Sequence, residues 1–174
     1  MTNDVLAAIQ NRRSVKKYLP DSVPADIVDA IARAGLYAAN GMGKQSPIIL
    51  EITDKALRDR LSALNASYMA KDIDDPFYGA PVVLVVLADR SIPTYLYDGS
   101  LAMGNMLMAA QSLGVGACWI HRAKQVFDSA EGKAILKELG VEGDYEGIGN
   151  CILGYPDGDP RPAPPIRDNR LYRA

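Results

Sequence analysis

The 174-residue sequence predicts one domain of the α/β or α+β class, with helices covering both sides of a sheet. Segments with helical periodicity alternate with strand-like segments along the chain. The segment from Pro81 to Ala88 is apolar at every position, so we expect a strand with both faces covered. The segment from Tyr95 to Leu113 is apolar on nearly all sides over several turns, which is typical of a central buried helix.

The first half of the chain contains two predicted helices, a strand and a third helix. Apolar residues at helical spacing predict a first helix that ends near Arg12 and a second that begins after Pro24. The apolar segment 48–52 predicts a strand, because it is short and rich in isoleucine. Asp54 then provides a suitable N-cap for the third helix.

The second half of the chain contains two further predicted strands and a helix, in addition to the strand at 81–88 and the helix at 95–113. Residues 116–120 and 148–155 are predicted strands, and a helix is predicted from about 129 to 139. Residues 156–174 are rich in proline and basic, so we expect an extended tail that runs over a surface, either its own or a partner's. A single domain over residues 1–174, including this tail, is the predicted organisation.

Composition excludes several classes of function. A net charge of −2 gives no general attraction to nucleic acid or to an acidic membrane. Two cysteines and one histidine exclude a disulfide scaffold and a multi-cysteine metal cluster, and we expect no metal site. The longest apolar run, residues 82–88, is far shorter than the ~20 residues of a membrane helix. The first four residues lack the features of a signal peptide, so we expect a cytoplasmic protein.

A basic cluster just past the first helix is the most informative local feature. Arg12, Arg13, Lys16 and Lys17 fall within six residues without an acidic residue among them, and Ser14 lies between them. Guanidinium groups and a hydroxyl suit a phosphate, but a solvated basic helix end is the alternative that spacing alone leaves open. The tail carries further arginines that could meet this cluster, since chain termini often lie close together. These tail residues are Arg161, Arg167, Arg170 and Arg173.

No self-contained catalytic set is visible. Cys118 precedes His121 by three residues, but it lies within an apolar strand, where cysteine is normally a small, inert core residue. The acidic residues Asp72, Asp74 and Asp75 are typical of a solvated loop. A serine-hydrolase elbow is also missing. If the protein is an enzyme, its reactive group is therefore expected to be a bound cofactor.

Several segments together resemble the nitroreductase-like FMN flavoprotein family. Residues 12–18 are similar to the Arg-Arg-Ser-x-Arg/Lys-x-Phe/Tyr opening of that family. Each motif is weak alone, but six of them occur in the family's order over nearly the whole chain. The other five are Ala38–Gln45, Ala80-Pro81 before a strand, Asp98 at the start of the long helix, Leu113–Ile120, and Gly154-Tyr155-Pro156 followed by Arg167.

The resemblance implies an α+β three-layer sandwich with a mainly antiparallel sheet, built as an intimate homodimer with two flavins at the interface. It implies no catalytic side chain, because the chemistry takes place on FMN, tuned by Lys16 at the pyrimidine edge of the flavin. The implied binders of the FMN phosphate are Arg12, Ser14 and Arg167, with Arg13 nearby. The implied contacts to the flavin are Asn65, the segment Trp119, Ile120 and His121, and a loop from the second subunit with Gly41, Met42 and Gln45.

The implied activity is reduction of nitro, quinone or similar acceptors with NADH or NADPH, by a ping-pong hydride mechanism. Two alternatives remain: a flavoenzyme of the same fold with another redox task, such as dehydrogenation or dehalogenation, and a non-enzymatic FMN-binding protein. The sequence also departs from the family pattern. Gln45-Ser46-Pro47 replaces the usual Gln-Pro-Trp, position 16 is lysine rather than the commoner arginine, and the insertion that forms a lid in larger relatives is missing.

Overall fold

The structure, a computed structural model, describes residues 3–70, 73–159 and 161–174. The described residues form six helices and four strands. The helices are α1 (Asp4–Asn11), α2 (Ala25–Leu36), α3 (Lys55–Ala66), α4 (Tyr95–Ser112), α5 (Ala123–Asp128) and α6 (Ala130–Glu138). The strands are β1 (Pro47–Ile52), β2 (Val82–Asp89), β3 (Gly116–Ile120) and β4 (Tyr145–Gly154).

One antiparallel sheet contains all four strands, in the order β1-β2-β4-β3. Strand β2 pairs on both sides, and its residues 82–88 are buried on both faces, which confirms the prediction from its unbroken apolar sequence. The register between β2 and β4 shifts between Val86 and Leu87, as a β-bulge does. Because the four strands pair only in antiparallel fashion, the class is α+β.

Helices cover both faces of this sheet, which makes three layers. Side chains along a strand point alternately to opposite faces, so Val83 and Val85 enter one core and Leu84 and Val86 enter the other. The first core includes residues of α3, α5 and α6, such as Phe127. The second core is filled by α2 and α4, and the three-layer sandwich predicted from the resemblance is therefore present.

Side-chain caps define where several helices begin. The Asp54 carboxylate accepts a hydrogen bond from the Leu57 N–H at 2.8 Å, which confirms Asp54 as the predicted cap of α3. Ser129 caps α6 in the same way, with its Oγ 3.0 Å from the Gly132 nitrogen. Local sequence signals therefore fix these helix starts.

Helix α4 is only half covered within the single chain, although its sequence is apolar on nearly all sides. Met103 and Met106 are fully buried against the sheet, whereas Tyr97 and Leu101 keep 72% and 50% of their surface exposed. Helix α1, which packs on α4, also exposes Val5. The single chain thus leaves an apolar surface on these two helices uncovered.

Other differences from the sequence analysis are local. Helix α5 was not predicted, and β4 begins at Tyr145, three residues before the predicted start. Asp75 does not lie in a solvated loop but is a half-buried hydrogen-bond acceptor, while Asp72 lies outside the described residues. Among the described residues, no helix combines the length and apolar composition that crossing a membrane requires.

Candidate functional site

The basic segment lies along the end of the sheet. The Val15 N–H donates to the Ala117 carbonyl of β3 at 3.1 Å, and the Leu19 N–H donates to the Tyr155 carbonyl just after β4 at 2.9 Å. The backbone around Ser14 is therefore held beside the edge strand β3. The backbone that carries the cations of this segment is therefore fixed relative to the sheet.

A cavity of about 580 Å³ lies between the basic segment and the beginning of the tail, a volume typical of small-molecule sites. The structure thus brings three cations of the N-terminal cluster, Arg13, Lys16 and Lys17, together with the tail residue Arg161. Two carboxylates also reach the cavity, and that of Asp157 pairs with Lys17 at 2.7 Å. The charged and hydroxyl residues of the lining are Arg13, Ser14, Lys16, Lys17, Asp157, Asp159 and Arg161.

Arg13 combines a fixed guanidinium with an unsatisfied donor. Its Nη1 donates to the carbonyl oxygens of Gln10 at 2.8 Å and Arg12 at 2.6 Å, at the C-terminal end of α1. Its Nε is buried and has no partner among the described residues. Buried donors normally have a partner, so this group fits a site completed by a ligand oxygen or a water. The donor set as a whole suits an anionic group such as a phosphate.

Cys118 lies beneath this segment and is an ordinary buried thiol. Burial raises its pKa more than the hydrogen bond with Ser14 and the charges of Lys16 and Arg12 lower it. The thiol therefore stays protonated at neutral pH and is not a primed nucleophile. This result agrees with the sequence interpretation of Cys118 as a core residue.

The other predicted flavin contacts on β3 and in the tail lie outside the cavity lining described above. Ile120 is buried, whereas His121 is exposed and its ring lies 5.9 Å from that of Trp119. Arg12 is half-buried, and Arg167 is exposed in the tail. Of the implied phosphate binders, only Ser14 lines the cavity, together with the nearby Arg13, whereas Arg12 and Arg167 do not.

Asn65 lies in the core rather than on the cavity wall. It has no exposed surface, and its Oδ1 accepts a hydrogen bond from Asn150 at 3.3 Å. The same Asn150 amide donates to the Ile120 carbonyl at 3.3 Å, and the Asn65 Nδ2 has no partner among the described residues. Direct flavin contact stays a prediction for Asn65, which in this structure connects α3 with β4.

The glycine-bearing loop at residues 40–45 is a tight turn on the surface. Met42 and Gln45 have φ angles of 53° and 51°, which is unusual for residues other than glycine. The Asn40 Oδ1 accepts a hydrogen bond from the Gln45 N–H at 2.9 Å. The Met42 side chain projects into solvent, with 79% of its surface exposed. The loop is therefore well defined and available to another molecule.

Asp98 of α4 holds this loop in place. Its buried carboxylate accepts hydrogen bonds from the Gly41 N–H at 3.0 Å, the Ser46 hydroxyl at 2.7 Å and the Thr94 hydroxyl at 3.0 Å. Burial acts to raise the pKa of Asp98, but these hydrogen bonds outweigh it and the net pKa is lowered. A Cβ atom at Gly41 would lie 2.2 Å from the Thr94 Oγ1, so only glycine fits here.

Sequence reasoning missed two further features near the cavity. The Lys16 Nζ lies 5.3 Å from the centre of the Tyr78 ring, and Tyr78 sits in a turn organised by Asp75. The sequence gives Arg161 no specific role among the tail arginines, whereas the structure places it in the cavity lining. These contacts join residues far apart in the chain, so local patterns give no signal for them.

An antiparallel sheet between two helical layers, with a basic cavity at the sheet end, defines an α+β protein equipped to bind a small anionic ligand. Residues 9–155 match the sequence model of the nitroreductase family, which covers most of the chain. The chain belongs to the nitroreductase family.

Similar proteins agree with this membership. A protein of Methanothermobacter thermautotrophicus, provisionally named NADH dehydrogenase/NAD(P)H nitroreductase, is 31% identical over 67% of this chain. The matched region spans 60% of that relative, less than two thirds of its length. The structure of a nitroreductase with bound FMN from Bacteroides fragilis superposes with a TM-score of 0.87 at 28% identity, covering 99% of this chain and 100% of that one. A nitroreductase structure from Desulfitobacterium hafniense, 24% identical, shares the fold over both full chains with a TM-score of 0.89.

Proposed function

We propose that this protein is an NAD(P)H-dependent FMN oxidoreductase that reduces nitro, quinone or similar small-molecule acceptors. The observation that carries the proposal is the basic cavity beside β3, where Arg13, Ser14, Lys16 and Arg161 converge. Names of similar proteins support it: the Bacteroides fragilis structure contains FMN, and a Bacillus subtilis relative at 21% identity is an FMN reductase (NADPH).

The cavity residues would hold the FMN phosphate. The geometry favours the Ser14 hydroxyl and the guanidinium groups of Arg13 and Arg161, and the family resemblance adds Arg12 and Arg167. Charge-assisted hydrogen bonds contribute about 1.5–3 kcal/mol each. Three of them, together with burial of the ring, could reach the ~8 kcal/mol of micromolar binding after ordering costs.

Lys16 would tune the reaction. When bound, FMN supplies a ring that accepts a hydride from NAD(P)H and delivers electrons to the acceptor. The Lys16 ammonium at the cavity would stabilise negative charge on the pyrimidine side of that ring. We also propose, from the resemblance, that the segment 119–121 lies beside the ring.

A homodimer with FMN at the subunit interface completes the proposal. The apolar surface on α1 and α4 needs cover that the single chain does not provide, since Tyr97 and Leu101 are exposed there. The surface loop with Gly41, Met42 and Gln45 is held rigid by Asp98, as a loop that completes a partner's site requires.

We expect the protein to purify yellow and to release FMN, not FAD, on denaturation. The cations of the cavity suit a terminal phosphate, and the sequence has no motif for binding adenine. The absorption spectrum and chromatography of the released flavin are the measurements. Colourless protein that also fails to take up added FMN would contradict the cofactor assignment.

Steady-state kinetics with NADH or NADPH and a nitro or quinone acceptor test the enzymatic part. We expect parallel lines in double-reciprocal plots, because donor and acceptor would use one cavity in turn and the sequence has no fingerprint for a separate dinucleotide site. Intersecting lines would contradict this scheme. FMN binding without NAD(P)H oxidation would instead favour a non-enzymatic binding protein, and product analysis would reveal dehydrogenation or dehalogenation.

A further inference from the structure

We propose that Tyr78 is a positioning residue that holds the Lys16 ammonium at the cavity while leaving its charge available to the ligand. The inference rests on the proposed function, because it assigns a purpose to the contact between a cavity cation and an aromatic ring. Its starting point is the distance of 5.3 Å from the Lys16 Nζ to the centre of the Tyr78 ring. This distance lies within the range of cation–π attraction.

The adjacent lysine shows why a ring is the suitable partner. Lys17 pairs with the Asp157 carboxylate at 2.7 Å, so its ammonium already has a charged partner within the protein. An aromatic face attracts an ammonium through its quadrupole and carries no net charge. Lys16 is thus restrained by Tyr78 and still presents a full positive charge to an anionic ligand.

The backbone of Tyr78 is held in an uncommon conformation. Its φ angle is 54°, in the left-handed region that a bulky residue rarely adopts. The turn is fixed by Asp75, whose carboxylate accepts hydrogen bonds from the Phe77 N–H at 2.9 Å and the Gly79 N–H at 2.7 Å. Conformations of this kind persist where the surroundings over-determine them, and they are often found at functional sites.

Helix α3 anchors this turn from below. The Arg58 guanidinium is buried, with its Nη2 2.6 Å from Asp75 and its Nε 3.1 Å from the Ala80 carbonyl. Ser62 donates a further hydrogen bond to Asp75 at 2.5 Å. The turn that carries the Tyr78 ring is therefore held against α3 by a continuous network of hydrogen bonds.

The main test compares Tyr78→Asn with Tyr78→Phe in the purified protein. Asparagine tolerates a positive φ but has no ring, whereas phenylalanine keeps the ring and loses only the hydroxyl. We expect the dissociation constant for FMN to rise about 2- to 5-fold in Tyr78→Asn, the range of an exposed cation–π contact, and to stay unchanged in Tyr78→Phe. Equal effects of the two variants, or no effect of Tyr78→Asn, would overturn the proposal.

A double-variant cycle separates positioning from a general structural effect. In a Lys16→Ala background, Tyr78→Asn should have no further effect on FMN affinity or on the rate of flavin reduction in stopped flow. Lys133→Ala, which removes an exposed lysine of α6, serves as the matched background in which the full effect of Tyr78→Asn should persist. Additive effects in the Lys16→Ala background would contradict the proposal.

A third measurement does not depend on FMN. Nuclear magnetic resonance of the protein as purified should show the Lys16 ε-methylene signals shifted upfield by the Tyr78 ring, in wild type and Tyr78→Phe but not in Tyr78→Asn. If the wild-type protein does not show this upfield shift, the contact between Lys16 and Tyr78 is not present in solution. A protein that shows the shift but binds no FMN would contradict the proposed function and leave the Lys16–Tyr78 contact established.

Discussion

Ser14 is the residue at which the sheet and the cavity meet. Its backbone lies beside Ala117 of β3, while its side chain reaches the cavity and the Cys118 thiol. Pairing with the strand fixes the position of the backbone. The side chains of the neighbouring residues Arg13 and Lys16 therefore start from fixed positions. This placement orders a cluster of like charges that would otherwise repel one another, as the proposed phosphate site requires.

Single substitutions test which arginines bind the FMN phosphate in the proposed site. Arg12→Ala and Arg167→Ala should each weaken FMN binding about 10- to 100-fold, from loss of ~1.5–3 kcal/mol of charge-assisted bonding. Arg161→Ala belongs in the same titration, because Arg161 is the tail arginine that lines the cavity. Arg33→Ala, which removes an exposed partner of Asp29 on α2, is the matched control and should bind FMN normally.

The titration also decides between the two tail arginines. If FMN affinity is unchanged in Arg167→Ala but weakened in Arg161→Ala, then Arg161 is the tail residue that binds the phosphate. Unchanged FMN affinity in Arg12→Ala, Arg161→Ala and Arg167→Ala would show that the phosphate binds elsewhere.

At the scale of elements, Asp98 joins helix α4 to the loop that precedes β1. Three donors converge on one buried carboxylate, and the loop keeps two non-glycine residues at positive φ. Such a turn is costly in isolation, so its stability depends on this anchor. The element that would reach a partner's flavin is thus supported by the central helix of its own chain.

Asp98→Asn should lower the free energy of unfolding by about 1–3 kcal/mol at neutral pH, because a buried hydrogen-bond network loses its charged acceptor. The folded-state pKa of Asp98 is lowered, so the carboxylate contributes stability above its ordinary pKa of about 3.9. That contribution is lost as the pH falls through the lower folded value. Urea unfolding at fixed protein concentration should therefore show a difference between variant and wild type that shrinks below about pH 4.

The matched control for this prediction is Asp29→Asn on α2, where the carboxylate is exposed and pairs with Arg33. Exposed pairs contribute at most about 1 kcal/mol, so its effect should be small. A gap between Asp98→Asn and wild type that is the same at pH 3 and pH 7 would show that the charge of Asp98 is not what stabilises the loop.

Strong local signals explain which elements could be predicted. Strand β2 is uniformly apolar and α3 has an aspartate cap, and both occur where the sequence places them. Helix α5 has only six residues, too few for a periodic pattern. The first residues of β4 extend the strand because they pair with β2 beyond the bulge, a contact that local sequence does not encode. The basic cluster can be predicted because its residues are neighbours in sequence, whereas local sequence does not encode the approach of Tyr78 and Arg161 from elsewhere in the chain.

At the scale of the whole molecule, uncovered apolar surface is the dominant feature. It lies on helices α1 and α4, and the tail separately exposes Ile166 and Leu171 at 85% and 70%. Single exposed apolar residues are ordinary, but an apolar surface spread over two packed helices is typical of an interface. The chain is therefore expected to be stable as an assembly of two copies.

Light scattering should show a homodimer in solution, and Leu101→Glu should dissociate it, because a charge would be buried without a partner on α4. Leu139→Glu at the end of α6 is the matched control: Leu139 is 43% exposed, close to the 50% of Leu101, but belongs to the opposite layer. A stable, flavin-loaded monomer of the wild-type chain would contradict the dimer.

The position of the basic segment also has a consequence for solubility. Strand β3 ends the sheet order, and open strand edges allow chains to pair with one another and aggregate. Residues 14 and 15 occupy part of this edge through the Val15 hydrogen bond to Ala117. The backbone pairing that positions the cations of this segment therefore also covers part of the open edge of β3. The residues proposed to bind the ligand are therefore the same few that protect this edge from pairing with another chain.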